Sequence, residues 1–453
     1  MALHVNYEVR WKNFKGFKDT KWIKIKPITI FLGSNNAGKT SFLAPFLLMN
    51  QTVTSRDSSS PLIIRGRIYD GGNIKELLND YDLSKELFFG FKYHTHEVPK
   101  RLKKVGNYPP GVVEVTFKVN NNIDRDLFVK SEAVYDIYSR PLLKLIRNKE
   151  GQYDLSGIKL TGMSVEEQNS IKKSSPLNFL FSPNALLSSM RREVEEQDEN
   201  AATKRLSKSF SELLQAISFN FSLASEILGD ISYLGPIREN PKRYYELRNE
   251  NYNTVGPRGE NLPDLLKKNF SKIEIELNEW VQKFGFGDKL ELKKLSNTIY
   301  SILFRNNGDD NYTNIANAGF GASQILPLIV QALVSPAETL TIAEQPEIHL
   351  NPRLQCVLAD LFAYMSKKDQ RVIVETHSEH LLLRLRLLVA NKTISADDIA
   401  IYFVDKVNNE SKVREIEIEA DGHVNPSEWP SGFFEESLRD SLALATEQLK
   451  NAN

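Results

Sequence analysis

Cysteine is almost missing from this chain. Cys356 stands alone among 453 residues, which excludes a disulfide framework and any Cys-x-x-Cys zinc site. A surplus of one charge sign is missing too. Lysine plus arginine and aspartate plus glutamate number 58 each, so there is no strongly basic coat for nucleic acid, although a local basic patch can sit inside a neutral total. No run of about 18 apolar residues occurs, so no membrane-spanning helix is expected. The opening MALHVNYEVRWKNFKGF lacks the apolar core of a signal peptide. A soluble, cytoplasmic protein with no membrane partner is the expectation. There is no repeat at a fixed period, no sustained heptad pattern for coiled-coil arms, and no Asn-Lys-x-Asp motif of the kind that reads a guanine base. What is present is ample core material: 41% hydrophobic residues, with 10% aromatics, spread over a length that suits one large domain with insertions or two to three ordinary ones.

The first 50 residues read as strand, strand, loop and helix. Lys21 to Lys26 (KWIKIK) alternates, Ile28 to Leu32 (ITIFL) has the length of a buried strand, and Thr40 to Asn50 forms an apolar helix after a Gly-rich loop. Period-two segments follow at Leu87 to Tyr93, Val112 to Val119 and Leu127 to Tyr135. Pro-Pro-Gly at 109–111 and Asn-Asn-Asn at 120–122 separate them, which predicts antiparallel strands. From 164 to 230 the pattern turns helical and polar. Within it Ser188 to Lys208 is charge-rich with few apolar anchors, a solvated helical insert or an arm for a partner. Apolar runs separated by helices between 317 and 380 predict a parallel sheet with helices on its faces. The tail from Ile399 to Val424 reads as two strands and a turn.

Gly33, Ser34, Asn35, Asn36, Ala37, Gly38, Lys39 and Thr40 match G-x-x-x-x-G-K-S/T in full, with Ser41 next in the helix. The glycines let successive N–H groups point inward as an anion nest, and the helix N-terminus adds its positive dipole. Lys39 is expected at the β- and γ-phosphates and the Thr40 hydroxyl on Mg²⁺. Thr341-Ile342-Ala343 reads as a buried strand ending in Glu344, an acid placed to hold Mg²⁺, often through water. A second apolar strand, Val372 to Glu375, runs into Thr376 and His377, whose imidazole can hydrogen-bond a γ-phosphate.

The order P-loop, Gly/Ser/Gln-containing helix start, acid-ended strand and histidine resembles that of ABC-type ATPases, and most closely their SMC-like branch typified by the overcoming-lysogenisation-defect proteins. NAGFGASQILP stands where those proteins have the signature motif, EQPEIHLNP at Walker B plus the D-loop, and ETHSEH at the switch histidine. The segments YLGPIRENPKRYY…VGPRGENLPDLL (233–266) and WPSGFFEESLRD (429–440) look like those of bacterial AAA-type ATPases that accompany defence effectors. First among these are the ATPase subunits of PARIS anti-phage systems, then those of Septu and some retrons.

This resemblance implies an α/β ABC-ATPase head: a mixed central sheet flanked by helices, an antiparallel β subdomain and a helical insertion. Residues 1–160 and 231–453 would supply its two halves and 161–230 the insertion. It also implies ATP and Mg²⁺ as cofactors, with ATP sandwiched between subunits in a dimer or a higher oligomer such as a hexamer. Gly321, Ser323 and Gln324 would then touch the γ-phosphate held by another subunit. Thr40 and Glu344 would hold the metal, Gln345 or Glu347 would act on the attacking water, and His377 would contact the γ-phosphate. The implied role is regulatory: a phage protein as trigger and a separate effector, a nuclease of TOPRIM or HNH type, as target. No nuclease is visible in the chain itself, since about 75 residues follow His377 with no Asp-x-Asp pair or His-rich cluster among them.

Two departures matter. ABC heads usually carry Asp-Glu where this chain has Glu344-Gln345, and an amide cannot take a proton as a carboxylate does. Gln345 can still orient water, and Glu347 is an alternative base, so slow turnover is expected. No Q-loop glutamine is evident, Gln51 being poorly placed. Arg238, Arg243 and Arg258 in Gly/Pro loops can contact phosphate, nucleic acid or a partner, or simply solvate the loops beside Glu239 and Glu260. A DNA-binding repair ATPase of SMC or RecF kind is the alternative reading, with DNA left open as a partner. A transport ATPase and a small-molecule kinase fit less well.

Overall fold

The structure is a computed structural model that describes residues 6–57, 60–94, 110–119, 126–136, 141–156, 162–173, 179, 187–188, 207–248, 250–305 and 311–425, together with 443, 444, 446 and 448. The stretch 189–206 and the tail segment 429–440 lie outside the described residues, and with them most of the charged insert and one of the motifs singled out above.

Six strands form the central sheet, in the order Ile231–Leu234, Leu340–Glu344, Arg371–Glu375, Ile28–Gly33, Ile399–Val407 and Glu410–Ile416. The first five run parallel and the sixth turns back antiparallel. The two acid-ended strands and the P-loop strand are buried along their whole length. That continuous burial is what a sheet covered on both faces requires, and it explains why these segments read as unbroken apolar runs. Ile28, Ile30 and Leu32 face one core with Ile325, Leu326 and Leu358 from the helices Phe320–Val334 and Pro352–Lys367. Phe31 faces the other core, with Phe42 and Phe46 of the P-loop helix Lys39–Val53.

A second sheet of eight strands forms the lobe. Leu87–His94, Pro110–Val119 and Leu127–Asp136 pair antiparallel within it, as their alternation predicts. Asn6–Phe14 joins them on Leu87–His94, with Phe17–Asp19 and Ile23–Ile25 along its other side. The expected strand at 21–26 is shortened to Ile23–Ile25, because Lys21 takes a left-handed backbone with φ of 60°. The lobe seats on the P-loop helix through Trp11. Its indole meets Phe46 and Phe89 edge to face, each 5.3 Å away, and donates Nε1–H to the Phe42 carbonyl at 3.0 Å.

Beyond the lobe, the described part of the insert includes the helices Val165–Lys173 and Lys208–Gly229. A small antiparallel sheet around Ile299–Arg305 rests near the long helix Leu262–Phe284. Among the described residues no helix is long and apolar enough to cross a membrane.

Candidate nucleotide site at the carboxyl edge of the sheet

Strand register brings the chemistry together. Glu344 pairs with Glu375 and Glu375 with Phe31, so both acids and the start of the P-loop share the carboxyl edge, where open α/β sheets bind ligands. The motif glycines are needed there for space as well as conformation. Gly33 has φ of 146°, and a Cβ on it would lie 2.0 Å from the Val404 carbonyl oxygen. Gly38, with φ of 112°, would bring a Cβ to 2.7 Å from Ser411 Oγ. Ser411 in turn donates to the Ala37 carbonyl at 2.7 Å, so the turn-back strand braces the loop from behind. Ser34, Asn35, Asn36 and Thr40 are exposed, Gly38 and Ser41 half-buried, and Ala37 and Lys39 buried. No side chain caps the helix that begins at Lys39, and its first turn carries no acid, which leaves its positive end open to an anion.

Lys39 donates through Nζ to the carbonyls of Gly33 and Ser34, both at 3.0 Å, with Glu375 Oε1 4.0 Å away. The Thr40 hydroxyl donates to Glu375 Oε2 at 2.8 Å. Burial lowers the Lys39 pKa, while Glu375 and Glu347 oppose that shift. Burial raises Glu375, against the pull of Thr40 and Lys39. Glu344 is pushed up to about 7, by burial first and Glu375 second, although it accepts a hydrogen bond from the Tyr233 hydroxyl at 3.0 Å. Burial also raises Glu347, whose Oε1 accepts from the His377 N–H at 2.8 Å. His377 is lowered by burial and by Lys39, which keeps its imidazole neutral near pH 7.

Three buried polar atoms around this edge make no hydrogen bond: Glu347 Oε2, His377 Nε2 and Arg238 Nε. Leaving such groups unpaired costs about 1–3 kcal/mol each, so their presence fits a site completed by a polar ligand. The residues fit Mg²⁺ in the same sense. No group of three His, Cys, Asp or Glu among the described residues is arranged to cage a metal alone. Mg²⁺ bound mainly by phosphates and water needs only one or two carboxylates and a hydroxyl, which Glu344, Glu375 and Thr40 offer.

Several residues sit differently from the sequence expectation. Gly321 is half-buried near the helix start, but the side chains of Ser323 and Gln324 are buried. Ser323 donates to the Phe320 carbonyl at 2.8 Å, and Gln324 Oε1 lies 3.4 Å from Arg238 Nη1. Arg238 is no surface loop arginine: it is 5% exposed and donates through Nη2 to the Glu344 carbonyl at 3.3 Å. Gln345 takes a left-handed φ of 44° and donates its N–H to the Glu375 carbonyl at 2.7 Å. Gln51 is buried, bonding the Ile63 carbonyl and the Tyr69 N–H, and so shapes the loop after the P-loop helix. Sequence reasoning passed over Glu375 and Tyr233. The signal for Glu375 was available, since VIVE ends in an acid just as TIAE does. Tyr233 carried none.

Comparison with known proteins agrees with this geometry. The AAA ATPase domain family matches residues 7–382, and the family described as Protein of unknown function (DUF3696) matches residues 394–444. None of the curated proteins matches. Among solved structures, the Smc head bound to the C-winged helix domain of ScpA is 14% identical over 91% of this chain and 98% of its own, with a TM-score of 0.42. The SMC head domain from Thermotoga maritima is 12% identical over 91% and 99%, at 0.37. The Smc head with an extended coiled coil derived from Pyrococcus furiosus, bound to the C-terminal domain of ScpA, is 12% identical over 91% and 96%, at 0.41. Scores of this size carry no argument of their own about the chain. The family match spans most of its length, and the P-loop, the acid-ended strands and the histidine all converge on one edge: the chain belongs to the AAA ATPase domain family and is an ATP-hydrolysing enzyme.

Proposed function

We propose that this ATPase is a nucleotide-dependent switch in an anti-phage defence system, assembling through shared ATP sites and controlling a separate effector, a nuclease of TOPRIM or HNH type. The observation that carries this reading is the amide at Gln345. It follows Glu344 where a carboxylate base would ordinarily stand, and its backbone is tied to Glu375. Proton removal then falls to Glu347, whose Oε2 is buried and unpaired while its Oε1 is occupied by the His377 N–H. A site built this way holds ATP far longer than one with a free carboxylate beside the attacking water, which suits assembly better than rapid cycling.

In this reading Lys39 leaves the Gly33 and Ser34 carbonyls for the β- and γ-phosphates, and the P-loop N–H groups cradle them. Glu347 takes the proton from the attacking water, and neutral His377 hydrogen-bonds the γ-phosphate. Thr40, Glu344 and Glu375 would hold Mg²⁺, which when bound neutralises charge on the phosphates. The start of the helix Phe320–Val334, uncapped and free of acids in its first turn, would meet the γ-phosphate bound by another subunit. Because Ser323 and Gln324 are buried, the backbone around Gly319 to Gly321 would make that contact.

The test is the mass of the protein in solution with and without Mg-ATP, for wild type and Lys39→Ala. Wild type is expected to form a larger species only with ATP, and to retain its effector in one nucleotide state. Lys39→Ala should lose about 2–3 kcal/mol of ATP binding, roughly a hundredfold in affinity, and with it the larger species. A wild type that stays monomeric in both conditions would sink the proposal.

A further inference from the structure

Arg238 is not used by phosphate or metal binding in the scheme above, yet it reaches the backbone of Glu344, one of the acids of the site. It arrives on the segment that continues the edge strand Ile231–Leu234, which also delivers Tyr233 to Glu344. The guanidinium is buried at 5% exposure and forms no ion pair among the described residues. Its two hydrogen bonds are long, 3.4 Å to Gln324 Oε1 and 3.3 Å to the Glu344 carbonyl, and its Nε makes none. Glu347, with its own Oε2 unpaired, is close enough to act on Arg238 electrostatically. A buried cation held this loosely is costly, and packing alone gives no reason to keep it.

What it joins is informative. Gln324 stands in the first turn and a half of the helix Phe320–Val334, whose start is the part proposed to meet another subunit's nucleotide. Glu344 and Glu347 bracket the turn after the strand Leu340–Glu344, which in the reading above would face this subunit's own nucleotide. Arg238 therefore touches both halves of the composite site. We infer that Arg238 is a positioning residue, which relays engagement of the signature helix through Gln324 to the Glu344–Glu347 turn, so that hydrolysis in one subunit depends on its neighbour. The inference rests on the shared-site reading above. Arginine suits the task because its planar fork reaches two acceptors at once, which a lysine ammonium at that distance does not.

The experiment is ATP hydrolysis by the full chain across protein and ATP concentrations, with ATP affinity measured separately by binding. It compares wild type, Arg238→Gln, Gln324→Leu, the double variant and Arg238→Lys. Wild type should show turnover per subunit that rises with protein concentration. Arg238→Gln and Gln324→Leu should each lower kcat by about tenfold and flatten that rise, with ATP affinity unchanged within about twofold. The double variant should be no slower than either single one, because both break the same relay. Arg238→Lys should fold, as judged by ATP affinity and melting temperature, and remain slow; should Arg238→Gln fail to fold, the cycle is run with the lysine variant. Independent, multiplicative losses from Arg238 and Gln324, or a rise with protein concentration that survives their replacement, would overturn the relay alone. Wild-type turnover independent of protein concentration would overturn the shared site, and the relay with it.

Discussion

The antiparallel lobe and the carboxyl edge of the parallel sheet are both tightly packed, yet they treat polar groups in opposite ways. Among the described residues of the lobe almost every buried side-chain polar atom has a partner. Trp11 donates to Phe42, Arg10 grips Asp19 through Nε and Nη2 at 2.9 and 2.6 Å, and Tyr153 donates to Val129 at 2.9 Å; the Tyr7 hydroxyl is the exception. At the carboxyl edge, Arg238 and Glu347 are buried and His377 is half-buried, each with a buried atom left unpaired, and three glutamates carry raised pKa values within one site. The lobe thus behaves as a support whose sequence answers to stability. The edge gives up stability instead: Glu347 and His377 keep atoms open as a site completed by a ligand would, and Arg238 is held loosely in the way the relay proposed above requires.

The largest effect that would break this comparison lies in the lobe. Trp11→Ala removes a fully buried indole between Phe46, Phe89 and the P-loop helix, and should cost about 3–5 kcal/mol in urea unfolding. An unchanged midpoint would mean that the lobe does not support the head. The contrasting change is Glu347→Gln. It should lower kcat by about a hundredfold or more, with ATP affinity little changed and thermal stability equal to or above wild type, since a buried amide carries no ionisation cost. Activity retained in that variant would remove Glu347 as the base. A large fall in stability would place it with the lobe's structural groups instead.

Much of this division was legible in the sequence, because each part obeys a local rule. Period-two alternation marked the lobe strands, and unbroken apolar runs marked Ile28–Gly33, Leu340–Glu344 and Arg371–Glu375 as doubly covered strands. The P-loop was readable because its chemistry demands glycine at set spacings. Glu375 was missed since no motif names it; its role comes from a parallel register that sets it beside Glu344 and over Thr40. For Arg238 the sequence left a ligand or partner contact and a solvated loop both open, because nothing in IREN signals burial. Its place follows from the pairing of Ile231–Leu234 with the Walker B strand, a contact across more than a hundred positions of sequence. Ser411 is the same kind of case, a polar residue in a hairpin that becomes the brace of the phosphate loop.

The smallest expected effect sharpens the comparison through pH. Glu344 ionises near 4.5 when the chain is unfolded but is pushed up to about 7 in the fold, by burial and by Glu375. Below the lower value the group is protonated in both states and its penalty is absent. Between the two values the unfolded chain sheds a proton that the folded one keeps, so stability falls as pH rises. Above about 7 the loss is complete. A shift of this size corresponds to about 3 kcal/mol as an upper bound. Urea midpoints of the nucleotide-free protein should therefore decline from pH 4.5 towards 7.5. Glu344→Gln should make that decline shallower without abolishing it, because Glu347 and Glu375 are shifted in the same direction. Equal slopes in the two proteins would show that Glu344 is already charged in the fold. The carboxyl edge would then be less strained than its unpaired groups indicate.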